Sequence, residues 1–397
     1  MKPFAINALC ATSALGQGLE ATAQGLLDGR SALRPCDFAD AALDTYIGRA
    51  PGVGDHAITG PLAAYDCRNN RLAQMALDGD GFITAVGAAV ERHGADRVAL
   101  IVGTSTSGIR EGEKAFAHRQ PETGKLPPDF RFYETHDHHS LAGFVQAYLG
   151  LEGPALTVST ACSSSAKVFA DAAQMIEAGF CDAAVVGGAD SLCLLTLYGF
   201  NSLELLDPAP CRPNDSGRGG ISIGEAAGFA LLERSDRISD ETIALVLGYG
   251  ESTDAYHMSA PHPDGLGAEL SMRAALERAG LKPDQVGYIN QHGTGTRQND
   301  RAEDIAITQV FGEGMLCSST KGATGHTLGA AGILEIAICC LAIERGFLPG
   351  NVNLQEADPD FRSRIVAKTE PGRIDSALNN SFGFGGSNCS ILLGRPL

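Results

Sequence analysis

The chain lacks an apolar run of membrane-spanning length. Its longest, Ile336 to Ile343, follows Glu335 and stops at Glu344-Arg345. No CxxC pair occurs among its 11 cysteines, whose scattered positions make neither a disulfide framework nor a zinc spacing; a reducing cytoplasm is expected. Basic residues are few: 30 Lys and Arg against 47 Asp and Glu leave a net charge of -17. Phosphate backbones need clustered cations, so nucleic acid is excluded as the main ligand, although a local basic patch can still receive a small acidic partner. Met1 to Gly16 has one lysine, and Asn7 and Thr12 interrupt its apolar stretch, so a first strand is expected there and not a signal peptide. The turn Gly103-Thr104-Ser105-Thr106-Ser107-Gly108 lacks a Gly-Lys-Ser/Thr ending and is not a phosphate loop. Thr135-His136-Asp137-His138-His139 has metal-ligand residue types but no second ligand cluster at matching spacing. It reads as polar residues capping the helix Ser140 to Leu149, and no metal is expected.

What is present is 397 residues, 44% of them hydrophobic, enough for a large core, and 49 glycines without a fixed period, which point to tight turns and close backbone approaches. Apolar patterning predicts strands at Phe4 to Leu9, Val98 to Val102, Ala155 to Val158, Ala183 to Val186 and Ala226 to Glu233. A Gly187-Gly188 turn is expected after the fourth. Helices are expected at Asn70 to Gly94 and Ser163 to Ile176. After a polar break at Arg234 to Glu241 the pattern starts again: strand Ala244 to Gly248, helix Leu270 to Ala279, strand Gly287 to Asn290, a strand-to-helix turn within Cys317 to Ile343, and strand Cys389 to Leu393. The expectation is an α/β protein of two look-alike halves, residues 1–235 and 236–397, with a reactive site at their seam.

The stretch that organises the chain is Thr157-Val158-Ser159-Thr160-Ala161-Cys162-Ser163-Ser164-Ser165-Ala166. A strand enters a turn of small residues and a helix leaves it, so Cys162 stands at a helix entry. Unpaired amides and the helix dipole there favour an anion, which predicts a lowered thiol pKa and a nucleophilic sulfur. The competing reading is a cysteine packed as a small hydrophobe. Three further turns hold a polar group among glycines: Asn290 to Thr296 around His292, Thr320 to Gly332 around Lys321 and His326, and Asn379 to Gly386 around Phe384. Singly, each histidine reads as a satisfied structural group. One cysteine and two histidines on such turns make a more specific pattern.

With these four motifs in order, the chain resembles the β-ketoacyl-acyl carrier protein synthases of the type I/II class over essentially its whole length. The resemblance implies a thiolase-like fold, two pseudo-repeated halves in a layered αβαβα arrangement. It also implies roles. Cys162 takes the acyl chain from a thioester, with the amides of Cys162 and Phe384 as an oxyanion hole. His292 and His326 are neutral donors to the enolate formed when malonyl-carrier loses carbon dioxide. Lys321 supports the thiolate and the histidine tautomer, Glu335 stands behind it, and Asp300 and Glu303 order the His292 loop or cap a helix. Thr294 and Thr296 touch the pantetheine arm. Phe384 gates the acyl pocket with Phe382 packed beneath, and Arg68 and Arg71 receive the acidic carrier. The implied partners are acyl carrier protein and a second subunit, either an identical copy or a paralogous ketosynthase-like chain. No cofactor is implied.

The chain departs from that pattern at Arg297, where relatives commonly have proline, and at Asn299, where they often have glycine. Asp254-Ala255-Tyr256-His257-Met258 resembles the type II branch, while Thr104 to Ile109 and Cys67 to Arg71 are similar to ketosynthases of aryl-polyene pathways. A thiolase would carry a second cysteine in the turn that here reads Phe382-Gly383-Phe384, and a type III synthase would pair one histidine with asparagine. The alternative of another class is a non-catalytic chain-length-factor-like partner subunit. Such subunits lose the nucleophile, and Cys162 is present.

Overall fold

The computed structural model describes residues 1–396. Its framework is a 12-stranded sheet. The principal strands of the first half are β1 (Phe4–Ser13), β2 (Val98–Gly103), β3 (Ala155–Val158), β4 (Ala183–Asp190) and β5 (Ala226–Arg234). Those of the second are β6 (Ala244–Thr253), β7 (Tyr288–Asn290), β8 (Leu316–Ser318), β9 (Ser376–Gly383) and β10 (Ser387–Gly394). Their spatial order is β3-β2-β4-β5-β1 and β8-β7-β9-β10-β6. Each half therefore runs third, second, fourth, fifth, first, and the repeat seen weakly in sequence is explicit in topology. The halves share backbone bonds: β1 pairs antiparallel with β6, Phe4 opposite Val246 and Ile6 opposite Ala244.

Helices form the other layers. α1 is Leu19–Leu27, α2 Arg68–Leu77, α3 Phe82–His93, α4 Ile109–Ala117, α5 His139–Leu149, α6 Ser164–Glu177 and α7 Leu194–Ser202. In the second half α8 is Leu266–Ala279, α9 Arg297–Phe311, α10 Lys321–Thr324 and α11 Ala331–Arg345. Every residue of α11 from Ala331 to Ile343 is buried, as expected of a helix that is apolar on every face except at Glu335. It packs with α6 between the two half-sheets, in the largest apolar cluster. α2, α3 and α5 cover the outer face of the first half, and α8 and α9 that of the second. The result is the αβαβα layering. No helix among the described residues is long and apolar enough to cross a membrane.

Two expectations need correction. The helix read across Asn70 to Gly94 is two helices, because Asp80 (φ 55°) and Gly81 (φ 70°) adopt left-handed conformations. The Asp80 carboxylate accepts from the Leu19 amide at 3.1 Å, capping α1 from there. Gly187-Gly188 is no turn: β4 runs through it to Asp190. A Cβ on Gly187 would lie 2.1 Å from the Gly228 carbonyl oxygen, and one on Gly188 2.1 Å from that of Gly103. The pair permits close strand approach at the sheet centre.

Candidate active site

Cys162 lies in the turn between β3 and α6. Ala161 takes a left-handed φ of 52°, and Ser164 Oγ, bonded to the Thr160 amide at 2.9 Å, ties the turn to the helix entry. The sulfur is buried, Cys162 being 5% exposed. The second half delivers the histidines. His292 follows β7, and Glu303 of α9 accepts the amides of His292 and Gly293, each at 2.8 Å. Asn380 of β9 donates to the same carboxylate at 3.1 Å. Asp300 accepts the Gly295 amide at 3.1 Å and faces Arg218 Nε at 3.4 Å. Both acids expected to order this loop receive its amides.

The sulfur of Cys162 and one ring nitrogen each of His292 and His326 lie within 4.8 Å of one another, and the two rings meet edge to face with centroids 5.3 Å apart. What sits behind the rings sets their tautomers. Leu328 N–H donates to His326 Nδ1 at 3.2 Å. The Lys321 ammonium stands 3.5 Å from His292 Nδ1 and donates to the His292 carbonyl at 2.5 Å. A nitrogen that faces a donor must be the unprotonated one, so both rings carry their proton on Nε2. Burial, and next the Lys321 charge, hold both histidines well below the ordinary range, so both are neutral donors.

Lys321 also donates to Glu335 Oε1 at 2.5 Å, while Glu335 Oε2 has no protein partner. Burial pushes the Glu335 carboxyl up to about 7, against the pull of Lys321. The expectation of a lowered thiol pKa is corrected here. Burial pushes the Cys162 thiol up to about 11, opposed by the Lys321 charge and the Phe384 amide, and reinforced by Asp190 and Glu335. Desolvation outweighs the Lys321 charge and the Phe384 amide, and the resting group is a thiol.

Cys162, His292 and His326 open on a cavity of about 570 Å³ lined by Phe200, Leu205, Ile221 and Phe384 and, around Arg297, by polar residues. Phe384 packs on Phe200 at 5.5 Å, and Phe382 lies against His292 at 5.9 Å. Thr294 and Thr296 also line it, their hydroxyls 2.8 Å apart. Arg68 and Arg71 do not border this cavity. They line a separate cleft of about 170 Å³ with Arg110 and Lys114. There Arg68 makes a two-pronged pair with buried Glu225 at 2.8 and 2.5 Å, and Arg71 pairs with Asp66 at 2.6 Å. His136 packs on Phe132 at 5.2 Å, and Asp137 caps the following helix through the His139 amide at 2.8 Å.

Sequence reasoning missed Asp190, Glu225 and Asn380, polar groups that hold the loops together. Asp190 had a legible signal: it is an acid closing the uncharged, apolar run Ala183 to Ala189.

Residues 1–237 match the family model described as β-ketoacyl synthase, N-terminal domain, and residues 243–355 its C-terminal domain. Nodulation protein E of Rhizobium meliloti is 39% identical over 255 residues, which span 62% of this chain and 63% of that protein's length. A 3-oxoacyl-[acyl-carrier-protein] synthase 2 of Vibrio harveyi is 32% identical over 407 residues, covering 96% of this chain and 95% of the relative. Among solved structures, a chain from the complex of the ketosynthase ApeO with its chain length factor ApeC, from Xenorhabdus doucetiae, is 38% identical. It covers 99% of this chain and 98% of its own length at a TM-score of 0.88. A β-ketoacyl synthase from Burkholderia phymatum superposes at 0.87 with 27% identity and full coverage of both chains (100%). With a cysteine and two Nε2–H histidines facing one cavity on this fold, the chain belongs to the β-ketoacyl synthase family.

Proposed function

We propose that the protein is a β-ketoacyl-acyl carrier protein synthase, condensing malonyl-carrier with an acyl chain held on Cys162. The observation that carries the reading is the convergence of one buried sulfur and two neutral imidazole donors on a single cavity that has an apolar side at Phe200, Leu205, Ile221 and Phe384. In the first half-reaction Cys162 Sγ attacks the acyl thioester carbonyl. The C–S bond to the carrier breaks, and the thiol proton leaves with the carrier's sulfur. In the second, the C–C bond between the malonyl α-carbon and its carboxylate breaks. Carbon dioxide departs and the electron pair moves into an enolate whose oxygen accepts from His292 and His326 Nε2–H. Neutral donors placed beforehand stabilise that charge without reorganising. The enolate carbon attacks the Cys162 thioester, a C–C bond forms, and the Cys162 C–S bond breaks. The amides of Cys162 and Phe384 hold the oxyanion, the sulfur takes up a proton, and the product is a 3-oxoacyl chain two carbons longer.

The apolar side of the cavity suits an acyl chain, in fatty acid or aryl-polyene/polyketide elongation. Thr294 and Thr296 hold the pantetheine arm. The carrier docks on the cleft of Arg68 and Arg71, where Arg71 is the better candidate because it and its partner Asp66 are more exposed than Arg68 and the fully buried Glu225. The second subunit is an identical copy or a paralogous chain, and the Xenorhabdus structure, a ketosynthase with its chain length factor, supports the latter. The intact nucleophile and both histidines weigh against a non-catalytic subunit. Eleven free thiols suit the cytoplasm. Mass spectrometry of Cys162 after incubation with acyl-carriers, together with carbon dioxide release from malonyl-carrier, tests the reading. A Cys162 that takes up no acyl group from any carrier would overturn it.

A further inference from the structure

Asp190, the last residue of β4, is fully buried and its partners are all hydroxyls and amides. It accepts from Thr104 Oγ1 at 2.6 Å, the Ser105 amide at 2.9 Å, Ser105 Oγ at 2.5 Å, and the Thr106 amide and hydroxyl at 2.9 and 2.8 Å. These donors lie in the loop after β2. One further donor comes from the other half of the chain, the Gly329 amide at 2.6 Å. Ser105 Oγ accepts that amide as well, at 3.1 Å.

Gly329 follows Leu328, the residue whose amide faces His326 Nδ1. Leu328 holds a left-handed φ of 53°, which costs a non-glycine residue about 1–2 kcal/mol and persists only where the surroundings over-determine it. His326 is tethered on one side by its own amide, bonded to the Ser222 carbonyl at 2.7 Å. On the other side its carbonyl accepts the Gly224 amide at 2.8 Å, and past that the next bond to a distant part of the chain is the Gly329 amide on Asp190. The strained residue lies between His326 and that anchor.

We infer that Asp190 is a positioning residue for His326: by gripping the Gly329 amide it holds the Leu328 turn so that the Leu328 N–H meets His326 Nδ1 and the ring proton stays on Nε2, facing Cys162. The inference rests on the reading of His326 as a donor to the enolate. A carboxylate suits the task because it only accepts, and every group around it donates. Asparagine would turn an NH₂ toward one of those donors.

The test is Asp190→Asn, with each half-reaction followed separately. Malonyl-carrier decarboxylation should fall about 100-fold, the cost of a misplaced catalytic group, while acylation of Cys162 should not fall by more than about threefold, since losing the Asp190 charge favours the thiolate. In ¹⁵N-histidine-labelled protein the His326 signals should leave the pure Nε2–H pattern of the wild type, a change that loss of a fold pin alone would not produce. Thr106→Val removes one donor and spares the Gly329 contact, so it should leave both half-reactions within about threefold. If Asp190→Asn does not fold, Gly329→Ala serves: its Cβ would lie 2.7 Å from Asp190 Oδ2, forcing the contact apart, and the same split is expected. Parallel loss of both half-reactions, or an unchanged His326 tautomer, overturns the inference. A wild type that never decarboxylates malonyl-carrier would instead sink the functional reading beneath it.

Discussion

Lys321 Nζ lies 2.5 Å from Glu335 Oε1, with the two side chains only 1% and 3% exposed. An ion pair taken this far from water is stable only as a pair, because removing one partner strands the other charge. Lys321→Met and Glu335→Gln should each cost about 3–5 kcal/mol in urea unfolding, and the double variant should recover much of the loss. Additive losses would show that the pair is not coupled. Lys321→Met also removes the donor that faces His292 Nδ1, so its activity should fall further than its stability explains.

Cys162→Ala should abolish acyl transfer. His292→Ala or His326→Ala should spare acylation of Cys162 and lower malonyl decarboxylation about 10²–10³-fold, the usual cost of one oxyanion donor. Condensation that survived loss of both histidines would refute the mechanism.

The raised thiol pKa predicts a pH profile. Alkylation of Cys162 by iodoacetamide follows its thiolate, so the rate should climb about tenfold per pH unit from neutrality, with no plateau below about pH 10. The charged or titratable groups acting on this sulfur are Lys321, Asp190 and Glu335, and the neighbouring imidazoles are neutral. Lys321 favours the thiolate, so Lys321→Met should move the profile to higher pH. A plateau near pH 6 would mean that the helix entry outweighs burial after all.

Carrier binding separates the two arginines. Arg68→Ala leaves Glu225 buried without its cation and should cost about 3 kcal/mol or more of stability. Arg71, more exposed and paired with a more exposed Asp66, should lose less than about 1 kcal/mol on truncation. If the cleft receives the carrier, Arg71→Ala should raise KM for the acyl-carrier, more so at low salt, with little change in kcat. An unchanged KM would remove Arg71 from the docking surface.

The parts of this molecule legible in sequence were those written locally. Strands such as Val98 to Val102, the small-residue turn at Cys162 and the glycine-rich turns at His292 and His326 each announce themselves within ten residues. What escaped was decided by partners distant in the chain. Glu225 is explained only by Arg68 and the amides of Ala50 and Leu192, and Asp190 only by Thr104 to Thr106 and Gly329. Gly187-Gly188 looked like a turn because glycine in sequence does not say whether it bends the chain or admits a neighbour. The thiol pKa failed for a related reason: the helix entry is visible in sequence, whereas the depth of burial is set by segments distant in the chain, among them those carrying Phe200, His292, His326 and Phe384.

Gly332 on α11 sits so close to α6 that a Cβ there would lie 2.6 Å from the Ala166 nitrogen and 2.8 Å from the Ala166 Cβ. The nucleophile precedes one of these helices and His326 precedes the other, so the reach between sulfur and imidazole is gauged by a crossing with no room for a methyl group. One carbon atom added at that crossing, out of contact with any substrate, would act as a spacer on the reaction itself.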